Sequence, residues 1–314
     1  MLKRIGVAVP SLIIITIVVF MIVHSAPGDP AIFMAGETGA SPQYIEGIRK
    51  LWGLDRPLQE QLWVYLVNVA QGNLGYSLTL QRSVLGIILE RLPYTFLLIG
   101  IAELFALVGI FFAVEAGSRL HSTTDDLLSV ASVVGYSLPY FWLGQILLIV
   151  FSLSLGLFPA GGLTSLREQY IGLAYVLDLL WHAALPGITL GLVHLTLVFR
   201  VTKVCVADVN SENYIVLARA KGLTERRVKY VHILKNVLIP LITLLALNFG
   251  GIVAGTLMTE IVFSWPGLGT LLQHAVTTRD YPLVSGIFII MAGIIIFLNL
   301  VTDITYRIVD PRVR

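Results

Sequence analysis

The residues best suited to do chemistry lie between Asn213 and Pro240, in NYIVLARAKGLTERRVKYVHILKNVLIP, a strongly basic stretch between two apolar runs. Tyr214 to Lys221 is rich in helix formers, and Gly222 stands where a left-handed cap would end a helix. Thr224 can cap a second helix, with Glu225 favourable at the positive end of its dipole. Arg226, Arg227, Lys229 and Lys235 follow, and Pro240 marks the start of the next apolar run. A basic helix–elbow–helix knob can dock on a soluble partner and pass force to it. The same spacing also fits a basic loop resting on lipid headgroups.

Polar residues inside apolar runs are the second chemical signal. Glu103 lies mid-run, where a carboxyl group costs roughly 2.5–3.5 kcal/mol on insertion scales and is rarely lipid-facing. It is either a contact for an amine-bearing substrate or a protonated, hydrogen-bonded packing group. Asn248, with Gly250, Gly251 and Gly255, suits a closely packed helix beside a passage, and Glu260 follows near its outer end. Tyr136, Tyr140 and Trp142 fit a pore lining or an ordinary packed face. His182 and His194 have no ligand spacing and read as ordinary polar residues. The chain has no G-x-x-x-x-G-K-S/T loop, no H-E-x-x-H and no G-x-S-x-G, and Cys205 is its one cysteine. It reads as no enzyme in its own right.

These residues need membrane helices to position them. The chain is 56% hydrophobic and 13% charged, against roughly 25% charged in soluble domains. Mean hydropathy is +0.85, and a net charge of +2 gives no reason to expect nucleic acid. Six apolar runs reach membrane-spanning length: about 5–23, 94–114, 133–155, 184–204, 237–262 and 284–301. The first lacks a convincing cleavage site and reads as a retained span. Pro93 falls in the first turn of the second, and Pro139 should bend the third. Short-loop Lys and Arg place both termini and the knob in the cytoplasm: Lys3, Arg4, Arg119, Arg200, Lys203, the knob cations, Arg307, Arg312 and Arg314 stand against only Arg167 and Arg279. Arg200 and Lys203 can snorkel to the headgroups.

The expected organisation is a first span in 1–24, an extracytoplasmic segment in 25–92 and a five-span core in 93–314 with a cytoplasmic segment at 207–236. Two surface helices are predicted in the outer segment, about Pro42–Trp52 and Pro57–Val69. In the second, Leu58, Leu62, Tyr65, Leu66 and Val69 share a face, and Trp52 and Trp63 suit interfacial anchoring. These helices either pack on the spans or receive a substrate-delivery protein.

The run Tyr214-Ile-Val-Leu-Ala-Arg-Ala-Lys-Gly-Leu223 resembles the coupling ("EAA") segment of ABC importer permeases in its peptide/nickel-class form. Ala218, Arg219, Ala220, Lys221 and Gly222 match, as do Asn236 and Leu238-Ile239-Pro240. Leu217 stands where Thr is common, and Asn213 where Asp is common. Further motifs match in order: Pro27-Gly-Asp-Pro30, Gly72-Asn-Leu-Gly-Tyr-Ser77, Gly135 to Gly144, Leu157-Phe-Pro-Ala160, Phe263-Ser-Trp-Pro-Gly-Leu-Gly269, Arg279-Asp-Tyr-Pro282 and Asp310-Pro-Arg312.

The resemblance implies an all-α integral membrane protein of the bacterial inner membrane. Its six transmembrane helices would adopt a type I ABC importer-like permease fold, with the coupling helix between the fourth and fifth. It implies a second, homologous permease subunit, one or two ABC ATPase subunits that carry the ATP and Mg, and an extracytoplasmic substrate-binding protein; this chain itself would hold no cofactor. Tyr214 and Leu217 would fill the ATPase groove, Arg219 and Lys221 would add charge complementarity, and Gly222 would set the exit angle. Short peptides come first as cargo, nickel chelates second. A non-transporting scaffold or receptor is the rival from another class.

Overall fold

The computed structural model describes residues 2–25, 32, 41–51, 53–77, 79–117, 123–165 and 170–309. Trp52, the Pro27–Pro30 motif, Arg119, Arg167 and the Asp310–Arg314 tail lie outside the described residues. The chain divides into two compact units, Met1–Pro93 with Thr270–Phe297, and Tyr94–Gly269 with Leu298–Arg314.

In the first unit, α1 (Leu2–His24) is followed by α2 (Pro42–Leu51) and α3 (Leu58–Ala70). Pro57 precedes α3 in an extended conformation, as a residue without an N–H can. Of the predicted apolar face, Leu62, Tyr65, Leu66 and Val69 are half-buried, whereas Leu58 in the first turn is exposed. The rings of Phe20 on α1 and Tyr65 on α3 meet at 5.6 Å. Gln61 donates to the carbonyls of Arg56 (2.8 Å) and Leu54 (3.3 Å), fixing the turn before α3. Trp63 is 68% exposed on the opposite face.

A two-residue antiparallel ladder, β1 (Tyr76–Ser77) with β2 (Arg82–Ser83), departs from the all-α expectation. Its purpose is visible at Asp280, which is 3% exposed. Ser77 Oγ donates to Asp280 Oδ2 at 2.6 Å, and the Leu283 N–H donates to Oδ1 at 3.2 Å. One carboxylate therefore ties the hairpin to the first turn of α12 (Tyr281–Val309), joining two motifs far apart in the chain.

The second unit contains most of α4 (Val84–Gly117), then α5 (Thr123–Ser137), α6 (Tyr140–Leu147, continued by a π-helical turn over Leu148–Ser154), α7 (Leu173–Asn210), α8 (Asn213–Ala220), α9 (Glu225–Arg227) and α10 (Leu234–Val262). Pro93 does not open the second span; it lies inside α4, because helix formation begins nine residues earlier at Val84. An interior proline is tolerated where neighbouring groups re-satisfy the freed carbonyl. Pro240 is likewise inside α10.

Glycines reveal how these helices run. A Cβ on Gly187 would come 2.7 Å from Ile101, one on Gly191 2.5 Å from Phe105, and one on Gly109 2.8 Å from the Leu195 carbonyl. The pairs advance by four residues on both helices, so α4 and α7 run in the same direction with their backbones in close approach. Gly135 faces Thr196 and Gly144 faces Thr189, so α5 and α6 run against α7. Tyr140 packs on Gly255 and Gly144 on Val262, so α6 and α10 run together. Within the second unit, direction therefore alternates from α4 to α5–α6, to α7 and to α10.

Among the described residues, four helices are long and apolar enough to cross a membrane: Gly6–His24, Val84–Ala116, Leu173–Asn210 and Tyr281–Thr302. A fifth arises if Asp126–Ser137 and Tyr140–Ser154 are one span, broken by 105° where Pro139 interrupts the ladder. The remaining expected run falls in α10, whose described apolar part is Gly250–Val262.

Candidate coupling site and translocation path

Helix α8 is short, so its position depends on what it buries. Ile215 and Ala218, three residues apart, are 0% and 6% exposed. They join a core with Val198 and Val206 of α7, Val228 and Ile233 beyond the elbow, and Ala106, Ile110 and Val114 of α4. The other face is left apolar and bare: Tyr214 is 42% exposed and Leu217 54%, with Ala220 and Lys221 exposed beside them.

Gly222 ends this helix at φ +78°. Its N–H donates to the Arg219 carbonyl (2.9 Å), and the Leu223 N–H donates to the Ala218 carbonyl (3.3 Å). This is the paired hydrogen bonding of a Schellman cap, and Leu223 supplies the accompanying apolar contact by packing on the same core. Nothing lies within 4 Å of a Cβ at Gly222, so conformation rather than crowding requires glycine there.

Arg219, partly exposed, is bonded within the knob. Its Nε donates to Glu225 Oε1 at 2.8 Å and its Nη2 to Asn210 Oδ1 at 2.7 Å, clasping the end of α7, α8 and the start of α9. The guanidinium holds the Glu225 carboxyl below its usual range, chiefly through that hydrogen bond. Beyond the elbow, Thr224 occupies the N-cap position, but its side chain makes no capping bond. The second predicted helix is not separate either. α9 passes through a π-helical turn, Val228–Ile233, into α10, so helical backbone runs from Glu225 to Val262. Glu115 of α4 anchors that rod, receiving Lys229 Nζ (3.1 Å) and the Tyr230 hydroxyl (2.7 Å).

The polar span residues have separate neighbours. Glu103 Oε1 stands 3.3 Å from Nε2 of His194, a nearly buried residue on α7. The pair is close enough for an ion pair when the ring is protonated, but it is off the hydrogen-bonding line, leaving that nitrogen without an aligned acceptor. Tyr140 packs on Gly255, Tyr136 is half exposed and Asn248 is half-buried on α10. Neither tyrosine hydrogen-bonds Glu103. His182 Nδ1 lies 2.9 Å from the Asp178 carbonyl and 3.4 Å from its carboxylate. Lys203 Nζ donates to Ser129 Oγ on α5 at 2.6 Å.

A family described as binding-protein-dependent transport system inner membrane component matches residues 106–314, and its N-terminal counterpart matches residues 1–99. The chain belongs to this family of ABC importer permeases. The permease is 38% identical to the di/tripeptide transport system permease protein of Pseudomonas aeruginosa over 328 residues, covering 99% of this chain and 97% of the relative. It is 36% identical to the dipeptide transport system permease protein of Escherichia coli over 335 residues, covering 100% and 98%. It is also 36% identical to the glutathione transport system permease protein of the latter organism over 314 residues, again covering 100% and 98%.

The permease holds one buried polar cluster that the sequence reading did not assemble. Glu260, noted only for its place in α10, is fully buried. Thr95 Oγ1 donates to its Oε1 at 2.6 Å, and the Gly269 N–H, at the start of α11 (Leu268–Thr277), donates to its Oε2. Leu268 N–H donates to Thr95 in turn (2.9 Å), and Trp265 Nε1 donates to the Tyr94 carbonyl (3.1 Å). A Cβ on Gly267 would come 2.1 Å from the Glu260 carboxylate, so the Pro-Gly-Leu-Gly turn is shaped to receive it. The available signal was an acid in the last turn of an apolar helix, followed by a Trp-Pro-Gly-Leu-Gly turn.

Proposed function

We propose that this permease carries short peptides, delivered by an extracytoplasmic substrate-binding protein, across the bacterial inner membrane at the expense of ATP hydrolysed by partner subunits. The carrying observation is the amphipathic placement of α8: Ile215 and Ala218 anchored in the span core, Tyr214 and Leu217 bare. A short helix held this way delivers an apolar contact to a groove on an ATPase and transmits its displacement through the Gly222 elbow into the rod from Glu225 to Val262. The cargo reading is supported by relatives named for di/tripeptide, dipeptide and glutathione transport. Nickel chelates are the second choice within the class.

The chain crosses the membrane six times with both termini and α8 in the cytoplasm; the alternating helix directions and the Lys/Arg distribution support this. It pairs with a second permease subunit to enclose the path, with one or two ATPase subunits beneath. Glu103 with His194, Tyr136, Tyr140 and Asn248 are the path candidates; a peptide's ammonium group is the natural partner for the Glu103 carboxylate.

The test is Leu217→Asp in cells taking up a labelled dipeptide. It should abolish both uptake and copurification of an ATPase while the protein accumulates normally. Normal uptake by this variant would sink the coupling assignment.

A further inference from the structure

A cleft of about 880 Å³ opens beside the elbow, where the last turns of α4 meet α9 and the π-helical turn after it. Phe111 and Glu115 come from α4; Thr224, Arg226, Arg227 and Lys229 come from the knob. We propose that this cleft binds the phosphodiester headgroup of an anionic phospholipid.

Charge comes first. The cleft holds three cations and one carboxylate. Glu115 is committed to Lys229 and Tyr230, forming a fixed floor, and the only other acid nearby in sequence, Glu225, is held by Arg219. Among the described residues no carboxylate pairs with Arg226 or Arg227, and both are exposed. The Thr224 hydroxyl, unused as a cap, adds a donor at the same rim. Two guanidinium forks and a hydroxyl suit the non-bridging oxygens of a phosphodiester.

Shape decides the source of that phosphate. Phe111 and Tyr230 stack at 6.3 Å inside the cleft, and Phe111 is also the last member of a bare stripe on α4. Leu104 and Leu107 are each 61% exposed, Val108 45% and Phe111 52%, spaced to lie on one helix face. That stripe runs about 10 Å along the span at 1.5 Å per residue, away from the cations and into the apolar zone. Acyl chains can follow it, whereas a soluble ATPase cannot, and a second permease covering the stripe would bring no anion. The assignment rests on the permease reading only in taking α4 as a membrane span.

The experiment uses the full chain with its copurifying partners in mild detergent, without peptide or ATP, and reads lipid retention by native mass spectrometry. Dioleoyl phosphatidylglycerol should be retained, dioleoyl phosphatidylcholine should not, and glycerol 3-phosphate should bind far more weakly than the intact lipid. Arg226→Gln with Arg227→Gln should weaken phosphatidylglycerol about 25-fold, at about fivefold for each basic residue near a membrane surface. Arg82→Gln, outside the cleft, should retain it. In the unaltered chain, affinity should fall as salt rises. Equal retention of the two lipids, no loss in the double variant, or no salt dependence overturns the proposal. Glycerol 3-phosphate binding as tightly as the lipid would make this a free-phosphate site, and a photoreactive residue at Val231 crosslinking to an ATPase would make it a protein interface; either overturns it too. Loss of peptide uptake would instead count against the permease reading, since retention is measured without transport.

Discussion

At the scale of residues, Gly222 and Glu260 do different things. Gly222 has open space around it and φ +78°, so a substitution is judged by backbone preference alone. A β-branched or bulky residue there costs about 1–2 kcal/mol, whereas asparagine visits this region readily. Gly222→Asn should therefore retain coupling, and Gly222→Leu should hydrolyse ATP without matching uptake. The ratio of ATP hydrolysed to peptide imported checks this, and equal ratios in both variants would remove the elbow argument. Glu260 is the opposite case, a buried acceptor for Thr95 and Gly269. Glu260→Ala leaves those donors unpaired, at roughly 1–3 kcal/mol each. Its Tm in detergent should fall by several degrees, with Glu260→Gln intermediate because one acceptor oxygen remains.

At the scale of elements, the elbow is held by Arg219 as much as by glycine. Arg219 links Asn210, α8 and Glu225, so Arg219→Ala and Glu225→Ala should loosen the same joint. A double-mutant cycle on coupling should be less than additive. The pair is partly exposed, so its contribution to stability is small, about 0.5 kcal/mol. Because the Glu225 pKa is lowered in the folded state, that contribution is present above the ordinary carboxylate pKa and is lost as pH falls through the lowered value. Amide exchange around Leu223 should accordingly rise on acidification in the parent and be flat, for this term, in Glu225→Gln.

At the scale of the whole molecule, topology is the testable quantity. In a Cys205→Ser background, Trp63→Cys should react with an impermeant maleimide added outside the cell. Lys221→Cys should react only after the membrane is opened. Reaction of both from the same side would exclude the odd number of crossings proposed between α3 and α8.

Much of this was legible in the chain. Apolar runs mark candidate spans because a bilayer core demands a long apolar stretch, and the positions of Lys and Arg give the orientation proposed above because cations resist translocation. Gly222 was legible because only a few residue types tolerate a left-handed cap. What the sequence did not carry is which polar groups meet. Ser77 and Asp280 are 203 residues apart, Thr95 and Glu260 165, and no periodicity links such pairs. The bonds of Arg219 to Asn210 and Glu225, the clasp on Glu260, the partner of Glu103 and the continuity of the rod through Pro240 were decided only by tertiary packing. The physical reason is the same in each case: a buried donor or acceptor must find a partner in three dimensions, and the chain alone does not say who stands opposite.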